Sequence, residues 1–217
     1  VVYGWHVFFS PPLFYCEIFL QETYDILDTK WYDNPTSTGV SKYTANSGTS
    51  ISYDFTNEAY LIQKTNGIGF SSVTLNNYRF PNTVTVKADV KLTGSSTNHQ
   101  VGIGLLNNNT GINGKVCYYS PDSYYAVSLI ESTRTTYGSN EVTSTDTHLS
   151  IQKNKWYTLI VEYNGNNQTV SLYDGDTLIV SVSANKSVLD SSSNEFAMWT
   201  GYNTSANNTY IKNIRIL

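Results

Sequence analysis

The stretch Thr83 to Leu92 reads TVTVKADVKL. Val84, Val86, Ala88, Val90 and Leu92 face one way along it; Thr85, Lys87, Asp89 and Lys91 face the other. A side-chain period of two marks a half-buried antiparallel strand, because successive Cβ atoms alternate across the pleat. The period recurs on both sides of this segment. Val101, Ile103 and Leu105 alternate with Gly102 and Gly104. Tyr125, Val127 and Leu129 alternate with Tyr124, Ala126 and Ser128, and Tyr157, Leu159, Val161 and Tyr163 form another inward row. Thr169 to Val182 reads as a hairpin turning at Asp174-Gly175, a pair that tolerates positive φ in a two-residue loop. Phe196 to Tyr202 and Thr209 to Leu217 read as closing strands.

Breakers separate these runs: Asn107-Asn108-Asn109-Thr110-Gly111, Ser120-Pro121-Asp122 and Asn164-Gly165-Asn166-Asn167. No window supports a long amphipathic helix, although Asn185 to Asn194 has room for a single helical turn. Many short strands with turn signals between them predict a sandwich or barrel. The expected core holds Val86, Val90, Ile103, Leu105, Val127, Leu129, Leu159, Val161, Phe196 and Ile214. No repeat of solenoid or propeller period is present, and no linker divides the chain.

Composition narrows the function. The chain has 217 residues, of which 14% are charged, against roughly 25% in an average protein. Tyr, Asn, Ser and Thr take their place, so the surface works through hydroxyls, amides and ring faces. A net charge of −4 with scattered Lys and Arg gives no reason to expect nucleic acid. Residues 1–21 differ from the rest of the chain, and Val1 to Leu20 (VVYGWHVFFSPPLFYCEIFL) is apolar and aromatic. It lacks the basic start and small-residue cleavage site of a secretory signal, and Pro11 and Pro12 argue against a membrane-spanning helix. It reads as a connector or arm packing on the domain or on a second subunit, which would make the chain a homo-oligomer, or as an extra edge strand. With no initiator Met, the chain reads as a fragment or processed product. Cys16 and Cys117 either form a disulfide tying the arm to the domain or remain two thiols; their spacing does not decide.

Several segments, in order, resemble one family. Tyr24-Asp25-Ile26-Leu27-Asp28-Thr29-Lys30-Trp31-Tyr32 is similar to the entry motif of the concanavalin A-like lectin/glucanase superfamily, including its laminin-G-like members. Lys155 to Gly165 (KWYTLIVEYNG) resembles the central strand of that superfamily, and the Asp174-Gly175 hairpin comes next at the usual place. Phe196 to Tyr202 (FAMWTGY) and Tyr210 to Ile216 (YIKNIRI) resemble its last two strands. The match runs from about Glu22 to Leu217. It implies an all-β jelly-roll sandwich of two antiparallel sheets, one convex and one concave, with carbohydrate on the concave face or its rim loops. No cofactor is expected. Many relatives hold a structural Ca²⁺; Lys212-Asn213 stands where they often carry Asp, and Asp25 and Asp28 are the candidate oxygen ligands.

The glucanases of the superfamily carry a Glu-x-Asp-x-x-Glu strand whose alternate carboxylates supply acid and nucleophile. That motif is absent, and the chain is expected not to be an enzyme. Asp174 and Asp176 straddle a turn glycine, while Glu131 and Glu162 stand singly on strands. His6, His99 and His148 lack metal-ligand spacing and read as surface residues. Asn108, Asn167, Asn185, Asn203 and Asn207 begin Asn-x-Ser/Thr triplets, which suit an exported glycoprotein or arise by chance in a chain this rich in Asn, Ser and Thr.

The expectation is therefore a glycan-binding adhesin or receptor-binding module of a longer protein, extracellular, on a cell surface or a virion. It looks like domains of bacterial or archaeal adhesins and tailed-virus fibres. Its partner would be a cell-surface glycan or glycoprotein, with no membrane insertion. A structural or assembly domain using the arm is the alternative, and a divergent glycoside hydrolase a third. Strand parity places the ligand near Trp199, Tyr124 and Tyr137 on the outer face of the concave sheet, where small Ala126, Ser128 and Ala197 leave room for a sugar to stack; the alternative is that Trp199 covers a neighbouring strand and Tyr124 anchors a loop. Gln100 and Arg134 would supply hydrogen bonds at its rim.

Overall fold

The computed structural model describes residues 31–64, 70–94, 98–119, 124–133, 141–145, 151–201 and 207–217. In chain order its strands are β1 (Trp31–Asp33), β2 (Tyr43–Ala45), β3 (Thr49–Asp54), β4 (Ala59–Lys64), β5 (Phe70–Leu75), β6 (Thr83–Gly94), β7 (Asn98–Asn107) and β8 (Thr110–Tyr119). They continue as β9 (Tyr124–Thr133), β10 (Glu141–Thr145), β11 (Tyr157–Asn164), β12 (Asn167–Asp174), β13 (Thr177–Asn185), β14 (Glu195–Gly201) and β15 (Asn207–Ile216). One sheet has eight strands in the order β13-β12-β11-β6-β15-β4-β3, with β1 also paired to β15. The other has seven, in the order β10-β9-β8-β7-β14-β5-β2. Every ladder among the described residues is antiparallel.

The period-two pattern of β6 is realised as expected: Val84, Val86, Ala88, Val90 and Leu92 are buried and the residues between them are half-buried. All ten core residues expected from the sequence lie in one cluster fed by both sheets. Burying one such aliphatic side chain stabilises by about 1.5–3 kcal/mol. The layers approach closely at Gly114 on β8, where an added Cβ would come within 2.5 Å of Val161 and Val170 from the opposite sheet.

Two local expectations are corrected. Asp174 pairs with Thr177, so the hairpin loop is Gly175-Asp176, one residue later than expected. Gly175 takes the positive φ (+57°) at the first loop position while Asp174 stays in the ladder. Asn185 to Asn194 forms no helical turn. Its end is held instead by an antiparallel bridge from Phe80 to Asn194, whose mutual backbone hydrogen bonds are 2.8 and 2.9 Å. The helical turn among the described residues is the 3-10 segment Gly39–Lys42.

Candidate functional site

Register places one residue from each of five strands in a row across the outer face of the seven-stranded sheet: Ser72, Trp199, Gly102, Lys115 and Ser128. Parity therefore puts Trp199 and Ala197 on the expected face, opposite Phe196 and Met198 in the main core. The expected exposure is corrected. Trp199 is fully buried, forms a small apolar cluster with Leu106 and Ala197, and donates its Nε1 hydrogen to Thr133 O at 3.2 Å. The end of β9 thus reaches the indole, and the ring is not a stacking platform. Truncating so buried an aromatic costs about 3–5 kcal/mol, so Trp199 belongs to the fold.

Ala126 and Ser128 are likewise buried rather than lining an open trough. Gln100 lies on the same face but is buried, not at a rim, and its Oε1 has no hydrogen-bond partner. Asn113 Oδ1 and Ser128 Oγ are also buried without partners, although Asn113 Nδ2 donates to Ser132 Oγ at 2.7 Å. Buried acceptors left unmet are costly, and three of them make this face polar beneath its cover. Tyr124 lies on β9 opposite Tyr119, but its side chain, like all of Arg134 and Tyr137, lies outside the described residues. The structure therefore joins only Trp199 and Gln100 of the expected set.

The same face opens at its β2–β5–β14 end into a cleft of about 370 Å³, lined by Thr44, Thr74, Asn76, Asn77, Arg79 and Glu195. The Phe80–Asn194 bridge builds it, because Arg79 and Glu195 flank the bridge in sequence. Arg79 Nη2 lies 2.7 Å from Glu195 Oε1, and Arg79 Nη1 donates to Tyr78 O at 2.8 Å. Beneath the bridge, Phe80 packs edge-on against Trp31, which also meets Phe196 and Tyr78. Thr44 Oγ1 donates to Asn76 Oδ1 at 2.7 Å, and Asn76 N to Lys42 O at 2.8 Å, which fixes the loop. Asn77 sits at φ +62°, and the adjacent Tyr78, whose ring packs against Trp31, is 45% exposed. Amides, hydroxyls, a guanidinium and a carboxylate therefore converge in this cleft. Glu195 is four residues from Trp199 on the same strand face, roughly 13 Å at about 3.3 Å per residue. Sequence reading did not find this cleft. Its one local signal is Asn76-Asn77-Tyr78-Arg79, a turn-forming pair followed by an aromatic and an arginine.

His99 is a further correction: it is buried, not a surface residue, with Nε2 3.0 Å from Thr209 Oγ1. Burial, and then the Lys153 ammonium, lower its pKa to about 3. The last strand does not fit a calcium site. Lys212 Nζ sits over the Trp156 ring, and Asn213 Nδ2 donates to Asp89 Oδ2 at 2.7 Å. No group of three His, Cys, Asp or Glu gathers among the described residues. Asp25, Asp28, Cys16, His6, His148, Asn203 and the 1–21 arm lie outside the described residues. Cys117 is buried. Of the sequons, Asn108, Asn167 and Asn185 are exposed. No helix among the described residues is long and apolar enough to cross a membrane.

No protein-family model and no curated protein matches the sequence. Solved structures do match. Carbohydrate-binding module CBM66 from Bacillus subtilis superposes with a TM-score of 0.58 at 15% identity, over 80% of this chain and 93% of that one. A legume lectin-like domain from Entamoeba histolytica gives 0.58 at 13% identity, over 86% and 95%. A Bacteroides ovatus GH16 protein in complex with a G4G4G3G product gives 0.56 at 11% identity, over 86% and 99%. The fold is the concanavalin A-like jelly-roll sandwich, and it serves binding modules and glucanases alike.

Proposed function

We propose that the chain is a non-catalytic glycan-binding module, and that the saccharide enters the Arg79–Glu195 cleft. The observation that carries this reading is the cleft itself: amides, hydroxyls and a guanidinium paired with a carboxylate converge in it. Paired sugar hydroxyls are recognised by planar polar groups of this kind, a guanidinium or an amide. The similarity to CBM66 and to legume lectin-like domains supports the same ligand class. Within the described lining the carboxylate is Glu195, and Arg79 holds it. A glycoside hydrolase needs two carboxylates about 5–9.5 Å apart. The low charge and the exposed sequons suit a module of an extracellular protein, on a cell or on a virion, acting as an adhesin or receptor-binding domain.

A glycan array with the full chain tests this. Arg79→Ala is expected to lower affinity for the captured glycan by at least about ten-fold, equivalent to about 1.4 kcal/mol, with the thermal midpoint nearly unchanged. Capture of no glycan, or equal capture by the variant, overturns the reading. Release of reducing ends from a bound oligosaccharide overturns its non-catalytic part.

A further inference from the structure

The opposite side of the molecule carries a feature that the cleft does not use. On the outer face of the eight-stranded sheet, Lys87, Asp89 and Lys91 alternate along β6 with its buried valines and alanine. Register sets Arg215 beside Lys87, Lys212 beside Asp89, and Tyr210 beside Lys91. A bulge at Asn213, at φ +51°, turns two consecutive residues, Lys212 and Asn213, outward before Ile214 returns to the core. Trp156, one residue before inward-facing Tyr157, lies between two ammoniums: Lys91 Nζ is 4.8 Å and Lys212 Nζ 4.4 Å from its ring centroid. Lys91 also lies 5.0 Å from the Tyr210 ring.

Cross-strand lysines on a solvated sheet are ordinarily matched by carboxylates. Here the central carboxylate is engaged elsewhere: Asp89 Oδ1 accepts from Thr158 Oγ1 at 2.8 Å, and Oδ2 from Asn213 Nδ2 at 2.7 Å. Among the described residues, Lys87, Lys91 and Lys212 make no ion pair. Lys91 donates to Asn57 Oδ1, a neutral partner. Burial, with the Lys212 charge adding to it and the Asp54 carboxylate opposing it, holds Lys91 below the usual lysine value. Beside this stripe a cleft of about 480 Å³ is lined by Lys87, Thr158, Ile160, Tyr173, Gly175 and Asp176. In a chain of net charge −4, clustered cations held in place on aromatic rings form a local positive field.

We infer that this face is a second binding surface, for a carboxylated or sulfated oligosaccharide, with Lys91 and Lys212 over Trp156 taking the anionic groups and the Thr158–Tyr173 cleft taking neutral rings. Ammoniums kept close by one ring meet an anion without first being ordered. Hydroxyl and ring groups in the adjoining cleft favour a saccharide over an acidic peptide.

Titration of the full chain with a sulfated, a carboxylated and a neutral hexasaccharide, followed by Trp fluorescence and calorimetry, tests this. At low salt one or both acidic probes are expected to bind, and to weaken as salt screens the contact. The difference between them shows which anion is preferred. Lys91→Gln with Lys212→Gln is expected to lower that affinity by at least roughly ten-fold. Lys91→Arg with Lys212→Arg, which keeps both charges, is expected to retain it, so loss through misfolding is recognised. Arg79→Ala leaves this binding unchanged, which separates it from the cleft on the other face. Binding of neither acidic probe, equal binding of the neutral one, or undiminished binding by the folded glutamine variant overturns the inference.

Discussion

His99 shows how one side chain ties the fold to pH. Its ring is buried between the sheets, reaching Thr209 Oγ1 on β15, which lies 2.9 Å from Thr200 Oγ1 on β14. Its pKa is about 3 in the fold against 6.5 for the ordinary group. Between those values the unfolded chain binds a proton that the folded chain refuses. The contribution to stability is therefore complete above pH 6.5 and is lost as pH falls from 6.5 towards 3. The slope is at most about 1.4 kcal/mol per pH unit. From about pH 6.5 to 5, where carboxylates titrate little, the denaturant midpoint is expected to fall, and His99→Gln to remove the part due to this residue. Imidazole resonances of His99 titrating near 6.5 would reject the assignment. That the residue is buried was hidden in the sequence, because an isolated histidine reads the same on either face of a strand. Trp199 teaches the complementary lesson. Parity named its face from the sequence, but burial depends on the approach of the end of β9, a contact that no local pattern encodes.

At the scale of elements, the period-two pattern predicted β6, β7, β9 and β11 and the face each turns inward. It carries no information about pairs brought together from distant segments. Arg79 and Glu195 meet only because Phe80 bridges Asn194, which is why the cleft was not legible while the core was. A second such device is Tyr163. Its hydroxyl crosses from β11 into the other sheet, donates to Ile112 O at 2.6 Å and accepts from Leu105 N at 3.0 Å. Leu105 and Ile112 are register partners, so the phenol stands between β7 and β8 where their backbones would otherwise bond. Gly104 makes space for it: an added Cβ there would lie 2.5 Å from the hydroxyl oxygen. Burial raises the Tyr163 pKa well above its ordinary value, which keeps the donor protonated. Tyr163→Phe preserves the ring and leaves a backbone donor and acceptor unmet. The expected cost is about 1–3 kcal/mol, read as a lower urea midpoint at unchanged m, with faster amide exchange at Leu105. An unchanged midpoint would show that the two strands close the gap themselves.

A two-layer sandwich ordinarily leaves both outer faces to solvent, and this molecule treats its two faces differently. The eight-stranded sheet shows solvent a row of lysines, half-buried on aromatic rings. The seven-stranded sheet is buried on its outer side at Gln100, Leu106, Asn113, Lys115, Ile130 and Trp199. Several of these are polar, and the end of β9 reaches the indole of Trp199 and, through Ser132, the Asn113 amide. A face of that extent calls for a covering layer. The longest stretch of sequence outside the described residues is 1–30, and Trp5, Phe8, Phe9, Leu13, Phe14 and Tyr15 within it are too apolar to remain solvated. A chain beginning at Glu22 is therefore expected to unfold at lower denaturant than the full chain and to bind a hydrophobic dye, or else to change its mass in solution. The first result means that the arm serves its own sheet; the second means that it serves another subunit. Deletion that alters neither stability nor mass would make the arm a passive tail, and the cover of the seven-stranded sheet would then belong to the domain from Glu22 onward.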